Sequence, residues 1–161
     1  MKLKNKGLTI SITREEPHKY LAQLVSLYEK AYSNFPEYSY KDLEDIFFYL
    51  RGMVNDDNKC FLMARRDEGR IVGFVIADKR EDFCNHPVGE IHEIVVDPDY
   101  QLQGLGRELF DSACELLRNK GCRYLELCVG RNNEKALSFY LKKGLRQTEK
   151  KERWIYMEKE L

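Results

Sequence analysis

No run of about 18 apolar residues occurs in the chain, so no segment has the length and hydropathy of a bilayer-spanning helix. A charge of one sign is lacking too. The 161 residues hold 27 basic and 27 acidic side chains, a balance without the electrostatic footprint of a nucleic-acid or anionic-membrane binder. There is no Cys-x-x-Cys pair. The five cysteines, at 60, 84, 114, 122 and 128, form an odd and scattered set, which argues against a disulfide framework and a thiolate metal site and fits a reducing cytoplasm with no metal expected. Residues 1–13 begin with basic side chains but pass straight into alternating apolar and polar positions, without the apolar stretch of a signal peptide, so export is not expected. Repeats, low-complexity tracts and linkers are absent as well, and the length suits one domain over residues 1–161.

What is present is a mixed succession of strand and helix patterns. Leu8, Ile10 and Ile12 alternate with polar residues, predicting a first strand. Pro17 can open a helix that carries Leu21, Leu24, Val25 and Tyr28 and runs to about Tyr32. After an aromatic loop over 33–40, Ser39 is a plausible cap for a second helix whose apolar face reads as Leu43, Ile46, Phe47 and Leu50. Strands follow over 60–65 and 71–78, joined by a tight turn at Asp67, Glu68 and Gly69, then another over 90–96. A long amphipathic helix begins after Gly104 and stops near Gly121, a strand covers 122–129, a helix covers 134–143, and two short strands end the chain. The fold class is therefore α/β, of the mixed α+β kind, with about seven strands and about four helices.

The stretch from Val96 to Arg107 places Gly104 and Gly106 where a strand gives way to the long helix. A helix start presents unpaired N–H groups and the positive end of the helix dipole, and glycines let an anion approach the main chain. Gly-x-Gly alone equally describes a flexible helix start. The segment has neither the third glycine of a dinucleotide fold, since Leu109 stands three residues after Gly106, nor the Gly-Lys-Ser/Thr of a nucleoside triphosphate site.

These residues resemble the GNAT family of N-acetyltransferases, whose signature is Gln/Arg-x-x-Gly-x-Gly/Ala after a strand ending in Val-x-Pro. Gln101, Gly104 and Gly106 match in spacing, with Val96, Pro98 and Tyr100 before them. A second match runs from Asn133 through Ala136, Phe139 and Tyr140 to Gly144, with Leu145 where the family usually has Phe. Likeness at the level of residues spans about 90–145. The resemblance implies a GNAT-type acyl-CoA N-acyltransferase fold: a curved mixed sheet splayed between the strands at 90–96 and 122–129, with acetyl-CoA in the gap. It also implies direct transfer of the acetyl group to an amine of a small molecule or peptide. The implied roles are backbone pairing of Ile94, Val95 and Val96 with the pantetheine amides, and N–H groups of Gln101, Leu102, Gln103, Gly104, Leu105, Gly106 and Arg107 around the pyrophosphate. Asn133 would hydrogen-bond the cofactor, though a helix cap would look the same from sequence. Tyr140 would protonate the departing thiolate, and core packing is its plainer alternative.

An ammonium acceptor must lose a proton before it attacks, so a base is needed. Glu90, His92 and Glu93 are the candidates. Strict alternation puts Glu93 on the face opposite the other two unless a bulge intervenes; the family carries a bulge in this strand, and Glu93 is favoured. Cys128 lacks a nucleophile arrangement with a histidine, which disfavours a covalent intermediate. The acceptor is expected to meet the first two helices and the aromatic loop, at Tyr28, Tyr32, Phe35 and Tyr38, within a set that also holds Tyr40, Phe47, Phe48 and Tyr49, most of which reads as core or edge packing. An acidic group at Glu44, Asp45, Asp56 and Asp57 could attract a cationic amine, but reads first as a solvated face and turn. The main rival is a non-catalytic acyl-CoA sensor, which would need neither Tyr140 nor a base; a nucleotide-binding domain is a second. A homodimer is an allowed assembly.

Overall fold

Alternating apolar residues in the central strands build two cores, one on each face of a single sheet. The computed structural model describes residues 2–5, 8–13, 16–56, 59–82 and 84–161, the first two segments as backbone only. Its strands are β1 (Lys2–Asn5), β2 (Leu8–Thr13), β3 (Lys59–Arg66), β4 (Ile71–Glu81), β5 (Pro87–Val96), β6 (Tyr124–Gly130), β7 (Arg146–Lys151) and β8 (Trp154–Glu160). The helices are α1 (Leu21–Tyr32), α2 (Leu43–Val54), α3 (Leu105–Asn119) and α4 (Glu134–Lys142). The sheet order is β1-β2-β3-β4-β5-β6-β8-β7, antiparallel at every described pair except β5 with β6. The sheet thus has eight strands where the sequence reading gives seven. The additional one is β1, whose Lys-Leu-Lys-Asn composition carries no strand signal but suits a charged sheet edge.

Val75 and Ala77 of β4 face α3, joining Leu109, Phe110, Ala113 and Leu117. Phe74 and Ile76, one residue out of phase, face α1 and α2, joining Leu24, Tyr28, Ile46 and Leu50. The second helix departs from expectation in two ways. Asp42, and not Ser39, is its N-cap residue, and the buried face is Ile46 and Leu50 with Tyr49 and Met53 beside them. Leu43 and Phe47 are exposed. The run from Ile46 to Leu50 is apolar throughout, so periodicity alone leaves the helix rotation open. Glu44 and Asp45 lie in its first turn, where the helix dipole favours them; Asp57 lies outside the described residues. Among the described residues no helix is long and apolar enough to cross a membrane.

Candidate active site

β5 and β6 pair in parallel only at Val88–Glu90 with Tyr124–Glu126. Beyond Glu90 β5 stays paired with β4 as far as Val96, so its other edge faces open space. The resulting cleft has a volume of about 290 Å³, with residues 91–96 on one wall and 128–130 on the other. The start of α3 reaches it through Gly106, and α4 with its N-cap Asn133 supplies Ala136, Phe139 and Tyr140. A strand edge with free amides beside a helix start suits an extended amide chain ending in an anion.

The turn between β5 and α3 is held from below. Asp97 is only 2% exposed; its carboxylate accepts from Lys30 at 2.7 Å, Arg70 at 2.9 Å and the Asp99 N–H at 3.0 Å. Arg66 donates to the Tyr100 hydroxyl at 2.8 Å. Gly104 is the N-cap of α3 with φ of 90°, a backbone that disfavours any Cβ, and no side chain there competes for the first N–H groups of the helix. A Cβ at Gly104 would meet nothing within 4 Å, so the space in front of this helix start is open. The Gln101 and Gln103 side chains bond back to the Val96 and Asp99 carbonyls, and Leu102, at φ 58°, stands 96% exposed at the tip. Leu102, Gln101 and Gly106 all line the cleft.

The question of strand parity is settled by a bulge. Ile76 opposes Glu93 and the next residue, Ala77, opposes Ile91, so His92 is the extra residue of β5. Before it Gly89 and Ile91 face α3; after it Glu93 and Val95 face α1 and α2. Glu93 is therefore buried, 8% exposed, with Oε2 accepting from the Tyr32 hydroxyl at 2.7 Å and Oε1 from the Tyr49 hydroxyl at 2.9 Å. Burial pushes its carboxyl up from 4.5 to about 7, against the two hydroxyls and His92, which pull it down. A carboxyl half ionised near neutrality and open to the cleft is suited to take a proton at pH 7.

Glu90 and His92 belong to a charged ledge at the margin of the cleft. Arg80 links Glu90 to Glu126, and Lys59 and His92 both reach Asp78. Asp78, Glu90 and His92 come close enough together to offer a cation three ligands, and the Lys59 ammonium already sits against two of them. Of the three base candidates, only His92 and Glu93 line the cleft.

Tyr140 also lines it; burial, then Glu93 and Cys128, hold its phenol far above the ordinary value, so it is protonated at neutral pH. Among the described residues its hydroxyl has no hydrogen-bond partner, which leaves it available as a donor to something in the cleft. Asn133 is an N-cap in fact: its Oδ1 accepts from the Ala136 N–H at 3.1 Å while the residue lines the cleft. Cys128 lies on the opposite wall, its thiol raised by burial, Glu90 and Glu93, the reverse of an activated nucleophile.

The four expected acceptor residues divide. Tyr32, Phe35 and Tyr38 line the cleft. Tyr28 does not: it is 1% exposed, a core residue packed 4.5 Å from the Tyr32 ring and 6.1 Å from Tyr49. Tyr49 has a role that its place in an aromatic set did not disclose, although its spacing from Ile46 and Met53 could have put it on the buried face. Trp154, which no sequence motif points to, also lines the cleft, its ring 5.3 Å from that of Tyr38.

Comparison with known proteins agrees with this geometry. The family described as "Acetyltransferase (GNAT) family" matches residues 21–145. An uncharacterised N-acetyltransferase of Methanocaldococcus jannaschii is 34% identical over 148 residues, covering 88% of this chain, and the chain spans 63% of that relative's length. A crystal structure from Pyrococcus horikoshii superposes with a TM-score of 0.80 at 29% identity, covering 94% of this chain and 98% of the other. A Thermoplasma acidophilum N-acetyltransferase solved in complex with coenzyme A shares the fold, with a TM-score of 0.75 at 20% identity over 94% and 99% of the two chains.

Proposed function

Because the chain belongs to the GNAT family of acetyltransferases, we propose that it is an N-acetyltransferase that moves the acetyl group of acetyl-CoA directly to an amine of a small molecule or peptide. The observation that carries this reading is the bulge at His92, which brings the Glu93 carboxyl into the wall of the cleft between β5 and β6. The residues present fit the cofactor: the space before Gly104 is open, and the free edge of β5 runs from there toward Tyr140.

Bound acetyl-CoA would supply the thioester that the amine attacks. The edge of Ile94, Val95 and Val96 would hold the pantetheine amides as an added strand, and N–H groups between Gln101 and Arg107 the pyrophosphate. Glu93, directly or through one water, would take the proton that the ammonium must lose. An N–H of Val95 or its neighbour on the open edge would stabilise the developing oxyanion. Tyr140 would then protonate the departing thiolate, with Phe35, Tyr38 and Trp154 flanking the acceptor's approach. Calorimetric titration with acetyl-CoA, beside ADP and NAD, tests the cofactor before any acceptor is known. Binding of acetyl-CoA alone is the expected result; equal binding of ADP, or none of either, would remove the reading. Thiol release across an amine panel then separates an enzyme from a non-catalytic sensor.

A further inference from the structure

We infer that Tyr49 is a positioning residue for the base: its hydroxyl, reaching from α2, holds the Glu93 carboxylate in place and in its ionised form. The inference rests on the reading of Glu93 as the base, and it assigns α2 a part in the chemistry that no cleft-lining residue reveals.

Glu93 accepts one phenol on each oxygen, and the two donors differ in where they stand. Tyr32 lines the cleft, so it touches whatever enters. Tyr49 is absent from that lining and approaches Oε1 from within the core between α2 and the sheet. Its ring is fixed there by Tyr40 at 4.8 Å and Tyr28 at 6.1 Å. With both oxygens tethered the carboxylate cannot rotate about its last bond. Each oxygen still keeps a second lone pair for a proton arriving from the cleft. The titratable groups facing Glu93 are Tyr28 and Tyr32 from α1, Tyr49 from α2, His92 within β5, Cys128 from β6 and Tyr140 from α4. Of these, only Tyr32 and Tyr49 hydrogen-bond it. The phenols stay protonated across the neutral range, so they act on Glu93 as fixed donors.

A donor to a carboxylate favours the ionised form, so removing it raises the pKa. Tyr49→Phe keeps the ring and its packing and deletes only the hydroxyl. An NMR titration of the glutamate carboxyl groups, with Glu93 assigned by its loss in Glu93→Gln, reads the effect without any acceptor. The expected midpoint near 7 in the native protein moves up by about one pH unit in Tyr49→Phe, which lowers the ionised share at pH 7 about fivefold. A merely structural role would leave that midpoint where it is, and an unmoved midpoint overturns the inference. Unchanged thiol release from acetyl-CoA in Glu93→Gln would instead overturn the base reading, and Tyr49's part in the chemistry with it, even where the midpoint moves.

Discussion

Replacing Glu93 by glutamine should make the protein more stable and less active, and the size of the first effect follows from the structure. Unfolded, this carboxyl titrates near its ordinary 4.5; folded, burial raises it to about 7 despite the Tyr32 and Tyr49 hydroxyls. The unfolded chain therefore ionises first as pH rises. Native stability from this group is fully present below about 4.5 and is lost progressively as pH climbs through 7. A carboxyl carried from 4.5 to about 7 corresponds to about 3 kcal/mol at pH 8. Glutamine has the same shape, can accept from one tyrosine and donate to the other, and never ionises. Glu93→Gln should accordingly gain about 3 kcal/mol over the native protein at pH 8, roughly 6–12 °C in melting temperature for a domain of this size, with the difference closing toward pH 5. Denaturant unfolding at pH 5 and pH 8 measures it, and turnover of acetyl-CoA should fall about a hundredfold or more in the same variant. Equal stabilities at pH 8 would refute the claim that the fold holds an unfavourable carboxylate.

Tyr140→Phe should lower turnover about a hundredfold or more, the scale of a lost general acid, while calorimetry finds acetyl-CoA affinity unchanged; native turnover would remove the acid role. Gly104→Asp should weaken acetyl-CoA binding at least about tenfold through charge at the helix start, and Gly104→Ala, which carries the same backbone strain at φ 90° without the charge, isolates that electrostatic part. Gly130→Ala would drive a methyl to within 2.5 Å of the Tyr38 ring and should cost about 1–3 kcal/mol in denaturant unfolding; native stability would show that the loop bearing Tyr38 is free to shift.

The parts of the fold legible in the sequence were those fixed by local patterns. The stripe of Leu105, Leu109, Phe110, Ala113, Leu116 and Leu117 defines α3 and its buried face without reference to any neighbour, and the glycine turn before it follows from the same local chemistry. The bulge at His92 leaves no such trace. Ile91, Glu93 and Val95 keep a period of two either way, and only the pairing with β4 reveals that the strand changes faces between them. The resemblance to a family, and not the residue pattern, is what favoured Glu93. In α2 the difficulty was the opposite, an excess of apolar residues: five in a row from Ile46 to Leu50 fit several rotations. The choice among them falls to packing against Phe61, Phe74 and Tyr28, residues far away in the chain. Tyr28 shows the cost of judging by residue type, since an aromatic at a helix position near the site proved to be the floor beneath Tyr32.

The cleft is flanked at each end by side chains from outside the two strands forming it. At the paired end, Gly89 lets the Leu117 side chain approach so closely that a Cβ would lie 2.7 Å from it, which seats α3 tightly against β5 where β6 joins. At the open end Tyr38 lies on Gly130, its hydroxyl accepts from the Asn132 N–H at 2.9 Å, and Trp154 tilts against its ring. The tyrosine thus packs on the face of β6 at the end where the two strands are apart. Between the two anchors β5 is left with unpaired amides and a buried carboxylate, both unfavourable to an isolated fold and both suited to a ligand that supplies a strand partner and a proton. Stability given up at one place, and maintained by cores on either face of the sheet, is what a site made for binding and proton transfer requires.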